Sequence, residues 1–162
     1  MALAMMTWLI AIPLLGLATG LRTFTPMAVL CWFAYGGYLP VAGTWAGWTA
    51  KLTVAILFTV LAVGELIGDK FPRTPNRTAP GPLAARLLLG GLVSAIVATA
   101  LQGSGVEAVI LGLAGVLIGA FAGYLIRREI VVQRGNKDWP VAVIEDISAI
   151  AFAIFAMGII TG

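Results

Sequence analysis

Residues 20–26 read GLRTFTP, and their reading decides how often the chain turns back on itself. Apolar sequence flanks them on both sides. Gly20 suits a helix C-terminus, and Thr25 followed by Pro26 suits an N-cap with proline at the first helical position. On that reading Arg22 and Thr23 occupy a turn between two helices, and the chain has six. The alternative is one long span from 7 to 35, broken at Gly20 to Pro26, which gives five. The specific caps favour six.

Six apolar segments lie near 2–20, 25–39, 51–68, 82–101, 105–126 and 139–160. A helix needs about 20 apolar residues to cross the hydrocarbon layer, and the second and third segments are short by that rule. Of 162 residues, 60% are hydrophobic and 10% charged, where a soluble domain carries about 25% charged residues. A soluble globular protein is thereby excluded. The expected fold is all-α: a polytopic transmembrane helix bundle of five to six helices, forming a single transmembrane domain over 1–162. No Lys or Arg precedes the first segment and no small-x-small site closes it, so it reads as a retained span rather than a signal peptide.

The chain has no histidine and one cysteine, Cys31. That removes imidazole bases and metal ligands, histidine-activated nucleophiles and any internal disulfide. No catalytic residue, metal ion or cofactor is expected on these grounds.

Charge is scarce and unevenly placed. Lys70, Arg73 and Arg77 fall in the third-to-fourth connection, and Arg127, Arg128, Arg134 and Lys137 in the fifth-to-sixth. The positive-inside rule makes that side cytoplasmic. With six helices Arg22 joins them there, Arg86 sits one turn inside the fourth helix, and only Lys51 and Glu107 remain on the far side. The uncharged loop 36–50 holds Tyr38, Trp45 and Trp48, which suit the membrane interface. Basic residues at a membrane face meet anionic lipid first, so membrane lipids are expected partners and nucleic acid is not.

Gly115, Gly119 and Gly123 recur every four residues on the fifth helix, with Gly16/Gly20 and Gly64/Gly68 at the same spacing. Such faces let helix backbones approach closely. They serve either packing within one subunit or a homo-oligomer contact through Gly115, Gly119 and Gly123.

The stretch GELIGDKFPRTPNRTAPGPLAAR, 64–86, concentrates the polar chemistry. Glu65 and Asp69 share a helix face, Lys70, Arg77 and Thr78 follow in a proline-stiffened loop, and Arg86 re-enters the apolar region. Glu145 and Asp146 stand opposite on the last helix. A charge at that depth costs up to about 3 kcal/mol unless it meets a partner or water. A coupling or ion-pair network of Glu65, Asp69, Lys70, Glu145 and Asp146 around Arg86 is therefore expected. At the GLRTFTP turn, Arg22, the hydroxyls of Thr23 and Thr25, and free N–H groups at a helix start form an anion site, which Arg77, Thr78 and Arg86 complete from across the bundle. A phosphate, a carboxylate or a lipid head group suits it. So does Glu65 or Glu145 of the protein itself, which would make the site structural.

GLRTFTP, then GE-x-x-x-DK-x-P-x-x-P-x-RT-x-P with a following AR, then a late ED, resembles a family of small bacterial integral-membrane proteins known only as a domain of unknown function. The resemblance implies that Arg22, Glu65, Asp69, Lys70, Arg77, Arg86, Glu145 and Asp146 are signature positions, and implies no activity. Three function classes follow. One is a transporter or channel-like permease in the bacterial inner membrane, drawing a small anionic solute or anionic head group to Arg22 and Arg86. The second is an intramembrane enzyme acting on a polyprenyl or phospholipid substrate with Mg²⁺, for which one Asp stands where a spaced pair is needed. The third is a structural or assembly subunit stapled by its charges.

Overall fold

A computed structural model describes residues 2–69, 78–133 and 138–162, and all regular structure among them is helical. The α-helices are α1 (Ala2–Leu21), α2 (Thr25–Tyr35), α3 (Leu52–Gly68), α4 (Pro80–Ala100), α5 (Gly105–Arg127) and α6 (Asp138–Thr161). A 3-10 helix, Trp45–Ala50, makes seven, and α5 continues as a π-helix over Arg128–Gln133. The seventh exceeds the expected count because loop 36–50 is not a simple connection. The segments Pro80–Ala100, Gly105–Val131 and Trp139–Thr161 are long and apolar enough to cross a membrane. Such helices are those of a membrane protein.

The extra helix has a steric cause. With 11 residues α2 rises about 16 Å, roughly half of a hydrocarbon layer. The chain beyond it folds inward, burying Leu39, Val41, Ala46 and Thr49 in the core above α2. Irregular backbone is tolerated at such depth where protein covers it. The Trp45 indole N–H donates to Thr99 Oγ1 on α4 at 2.9 Å, tying this plug to the bundle. Trp45→Phe removes the bond while keeping most of the ring, and is expected to lower stability by about 1 kcal/mol in a thermal or denaturant titration.

Helix α1 forms the centre, packed most extensively on α5 and then on α6 and α4. Ala11, Ile12, Leu15 and Ala18 on it have no exposed surface. Glycine makes the α1–α5 seam. A Cβ on Gly115 would strike the Pro13 and Leu17 backbone, one on Gly119 the Leu17 backbone, and one on Gly16 the Gly112 backbone. Gly115 and Gly119 thus serve packing inside one subunit, and Gly123 is also buried. Gly20 is not a C-cap: α1 runs on to Leu21, and Gly20 lies against the backbone of Val116 and Ala120.

The contacts of these glycines rise together along α1 and α5, so the two helices are parallel. α2 and α3 are antiparallel, with Trp32 Nε1 donating to Thr59 Oγ1 and the N-terminus of α2 meeting Glu65. The ends of α1, α3 and α5 and the starts of α2, α4 and α6 therefore gather at one charged end, while Lys51 caps α3 and Glu107 opens α5 at the other. α3 is peripheral. It packs on α2 and the 3-10 helix, and its buried residues are Ala55 and Ala62.

A candidate charged network at the helix break

The break between α1 and α2 is a turn of three residues, Arg22, Thr23 and Phe24. Proline follows in the first turn of α2, where its missing N–H costs nothing. The expected cap at Thr25 is not made. Phe24 holds the N-cap position without a side-chain bond, Thr25 is already helical, and its buried hydroxyl has no hydrogen-bond partner among the described residues. The cap comes instead from a distant helix. Thr23 N–H donates to Glu65 Oε1 at 2.7 Å and Phe24 N–H to Glu65 Oε2 at 2.9 Å, so both oxygens of one carboxylate sit on two successive amides.

Arg22 is fully buried. Its Nη1 donates to Asp69 Oδ2 at the end of α3, and its Nη2 stands 2.5 Å from Asp146 Oδ1 on α6. Arg86, buried on α4, brings Nη2 to 3.7 Å from Glu65 Oε1 and Nη1 to 3.4 Å from the Pro82 carbonyl one turn back. Glu145, the neighbour of Asp146, faces Arg127 of α5 at 3.8 Å. Four of the six α-helices, α3 to α6, and the turn after α1 thus bring charged groups to one end of the bundle, and α2 is capped there by Glu65.

Of the residues expected at an anion site, the structure brings Arg22, Thr23, Thr25 and Arg86 to this end, but Glu65 holds the amide groups and carboxylates hold Arg22. Thr78 is half-buried in the turn before α4, with no hydrogen bond or ion pair to the cluster among the described residues. Arg77 and Lys70 lie outside the described residues, as do Arg73, Arg134 and Lys137. Arg127 enters the network although its sequence position suggested only a topogenic charge. A signal for it existed: Arg127 follows Gly123 by four residues, continuing the buried face of Gly115 and Gly119. Among the described residues no three Asp, Glu or Cys side chains converge on a point that suits a metal ion, and Arg22 stands between Asp69 and Asp146.

Residues 9–159 match the family described as a domain of unknown function, DUF4126. The chain belongs to that family. Neither a curated protein nor a solved structure matches it. Membership in DUF4126 covers nearly all of the chain, so the turn, both acidic pairs and Arg86 all lie inside the shared region.

Proposed function

We propose that this DUF4126 protein is a small multi-pass carrier of a bacterial inner membrane. It moves a small anionic solute or an anionic lipid head group, and its charged network at the cytoplasmic end is the coupling device. The observation that carries the reading is Arg22, wholly buried at a helix break and held by carboxylates from two separate helices. Buried ion pairs add little net stability compared with apolar packing. Ionisable groups inside a membrane bundle mark ion and substrate pathways far more often. Glu65, Asp69, Glu145 and Asp146 face Arg22, Arg86 and Arg127. Carboxylates so placed in a membrane bundle suit proton or cation coupling.

A second reading, the structural staple, draws on the Glu65 cap, since that carboxylate fills the amide groups an anion would use. Reconstitution separates the two. Liposomes holding the purified protein and a pH-sensitive dye are challenged with chloride, nitrate, phosphate and acetate, and a dithionite-quenching assay on labelled phosphatidylglycerol tests the head-group version. Flux in the native protein, abolished in folded Arg86→Ala and Glu145→Gln, is the expected result. Unchanged flux in both variants overturns the carrier reading. Full function in the paired exchange Arg86→Glu with Glu65→Arg supports the staple.

A further inference from the structure

We infer that the outer face of the π-helix seats one phospholipid with an ethanolamine head group, at the charged end of the bundle and separate from the Arg22 network. The depth comes from α5. Its 23 residues rise about 34 Å, enough to cross a hydrocarbon layer of about 30 Å, and Glu107 in its first turn marks the other boundary. Arg128–Gln133, which continues α5, therefore stands at head-group level. Trp139, 63% exposed at the start of α6, marks the same level, since tryptophan collects at membrane interfaces.

A cavity of about 520 Å³ opens on this segment, within the range of about 300–1,000 Å³ typical of small-ligand sites. Leu125, Ile126 and Ile130 give it an apolar wall, and Arg128, Glu129 and Gln133 supply its polar groups. The backbone explains the set. On an α-helix Arg128 and Gln133, five residues apart, would point about 140° away from each other. The i→i+5 bonding of a π-helix brings them to one face, and such bonding is rare and often kept at functional sites. Arg127 turns inward to Glu145. Arg128 is exposed and has no ion pair among the described residues.

The occupant follows from the charges. A guanidinium pairs with a phosphodiester through two parallel hydrogen bonds. The carboxylate beside it repels a second anion and attracts an ammonium. A carboxylate accepts up to about four hydrogen bonds, so Glu129 holds this partner beside any other. An ethanolamine head group carries both charges, a phosphodiester and a primary ammonium joined by a short carbon chain, and so matches Arg128 and Glu129 together. Phosphatidylglycerol has the phosphate without the cation, and phosphatidylcholine has a cation with no N–H to give Glu129. Leu125 and Ile126 are each more than half exposed, an apolar surface that the ester region of a lipid covers and a soluble head group leaves bare. No group of the charged network takes part, so the site stands whether or not the protein is a carrier.

Native mass spectrometry tests this on the full-length protein, released from detergent micelles that hold one lipid at a time. It counts bound lipids and gives a Kd for each. One phosphatidylethanolamine per chain is expected, bound about tenfold more tightly than phosphatidylcholine or phosphatidylglycerol with the same acyl chains, the scale of one hydrogen bond between charged groups. Glu129→Gln should erase the preference over phosphatidylcholine, and Arg128→Gln should weaken all three lipids. Both side chains are exposed, so each variant is expected to melt within about 2 °C of the native protein. Should either fold poorly, the lipid series on the native protein decides. Equal binding of the three lipids there overturns the site. So does a loss of the same size in Lys51→Gln, an exposed cation at the opposite end. A preference for phosphatidylglycerol overturns the ethanolamine assignment, even where Arg128→Gln abolishes it.

Discussion

Arg22→Gln is expected to cost the folded state about 3–5 kcal/mol, because it leaves two carboxylates facing one another in a buried cluster with their shared cation gone. Folded proteins hold about 5–15 kcal/mol in reserve, so the variant stands near the edge of folding. Glutamine is two heavy atoms shorter than arginine but still offers hydrogen bonds, so packing is not the main loss. The charge is. Asp69 pairs with Nη1 and Asp146 with Nη2 of the same guanidinium, and this links the end of α3 to α6 through a residue belonging to neither helix. Removing both orphan charges in the triple variant with Asp69→Asn and Asp146→Asn is expected to recover most of the loss. Arg22→Lys should fall between, since an ammonium keeps the charge but lacks the planar fork that reaches two partners. Chemical or thermal denaturation in detergent measures all three. A loss under about 1 kcal/mol in Arg22→Gln would mean that the carboxylates are hydrated well enough to stand alone.

Much of the architecture was legible because a membrane simplifies the code. Apolar runs separated by Gly, Pro and charge mark helices directly, and the six segments read from the sequence correspond to α1–α6 within a few residues at each end. The turn at GLRTFTP was legible from Pro26, which belongs at a helix start. Two details there were not. Thr25 carries the residue type of an N-cap, yet the capping oxygen comes from Glu65, over forty residues away, and local sequence holds no trace of a partner at that separation. Gly20 has the residue type of a C-cap, yet it is demanded by the backbone of α5. The same glycine serves a turn or a close approach, and only the neighbouring helix distinguishes them. The 3-10 helix was hidden for another reason: WAGWTA has no period to read, and its burial follows from the shortness of α2.

The site was legible in membership more than in pairing. Scarce charges in an apolar chain stand out, and Arg22, Glu65, Asp69, Arg86, Glu145 and Asp146, expected together, do lie at one end of the bundle. Which carboxylate meets which guanidinium depends on helix rotation and register, and those are set by glycine contacts between helices far apart in sequence. Arg127 was missed for that reason.

Those glycine contacts yield the second large effect. Gly115→Ala with Gly119→Ala is expected to destabilise the protein by about 2–6 kcal/mol, at about 1–3 kcal/mol for each overpacked site. Alanine in an exposed helix position ordinarily gains about 1 kcal/mol over glycine, so the sign itself is diagnostic. Each added Cβ meets backbone atoms of Pro13 or Leu17, which have no rotamer to yield. α1 and α5 must therefore move apart, and in lipid, close van der Waals approach is the main attraction holding such a seam. Gly64→Ala and Gly68→Ala on α3 form the control, because a Cβ at either meets nothing within 4 Å. They are expected to be neutral or slightly stabilising. Light scattering on the same variants tests self-association separately. A seam internal to one subunit predicts that the α5 pair lowers the melting temperature and leaves the mass of the surviving folded protein unchanged. A fall in mass at unchanged melting temperature would move that glycine face to a contact between copies.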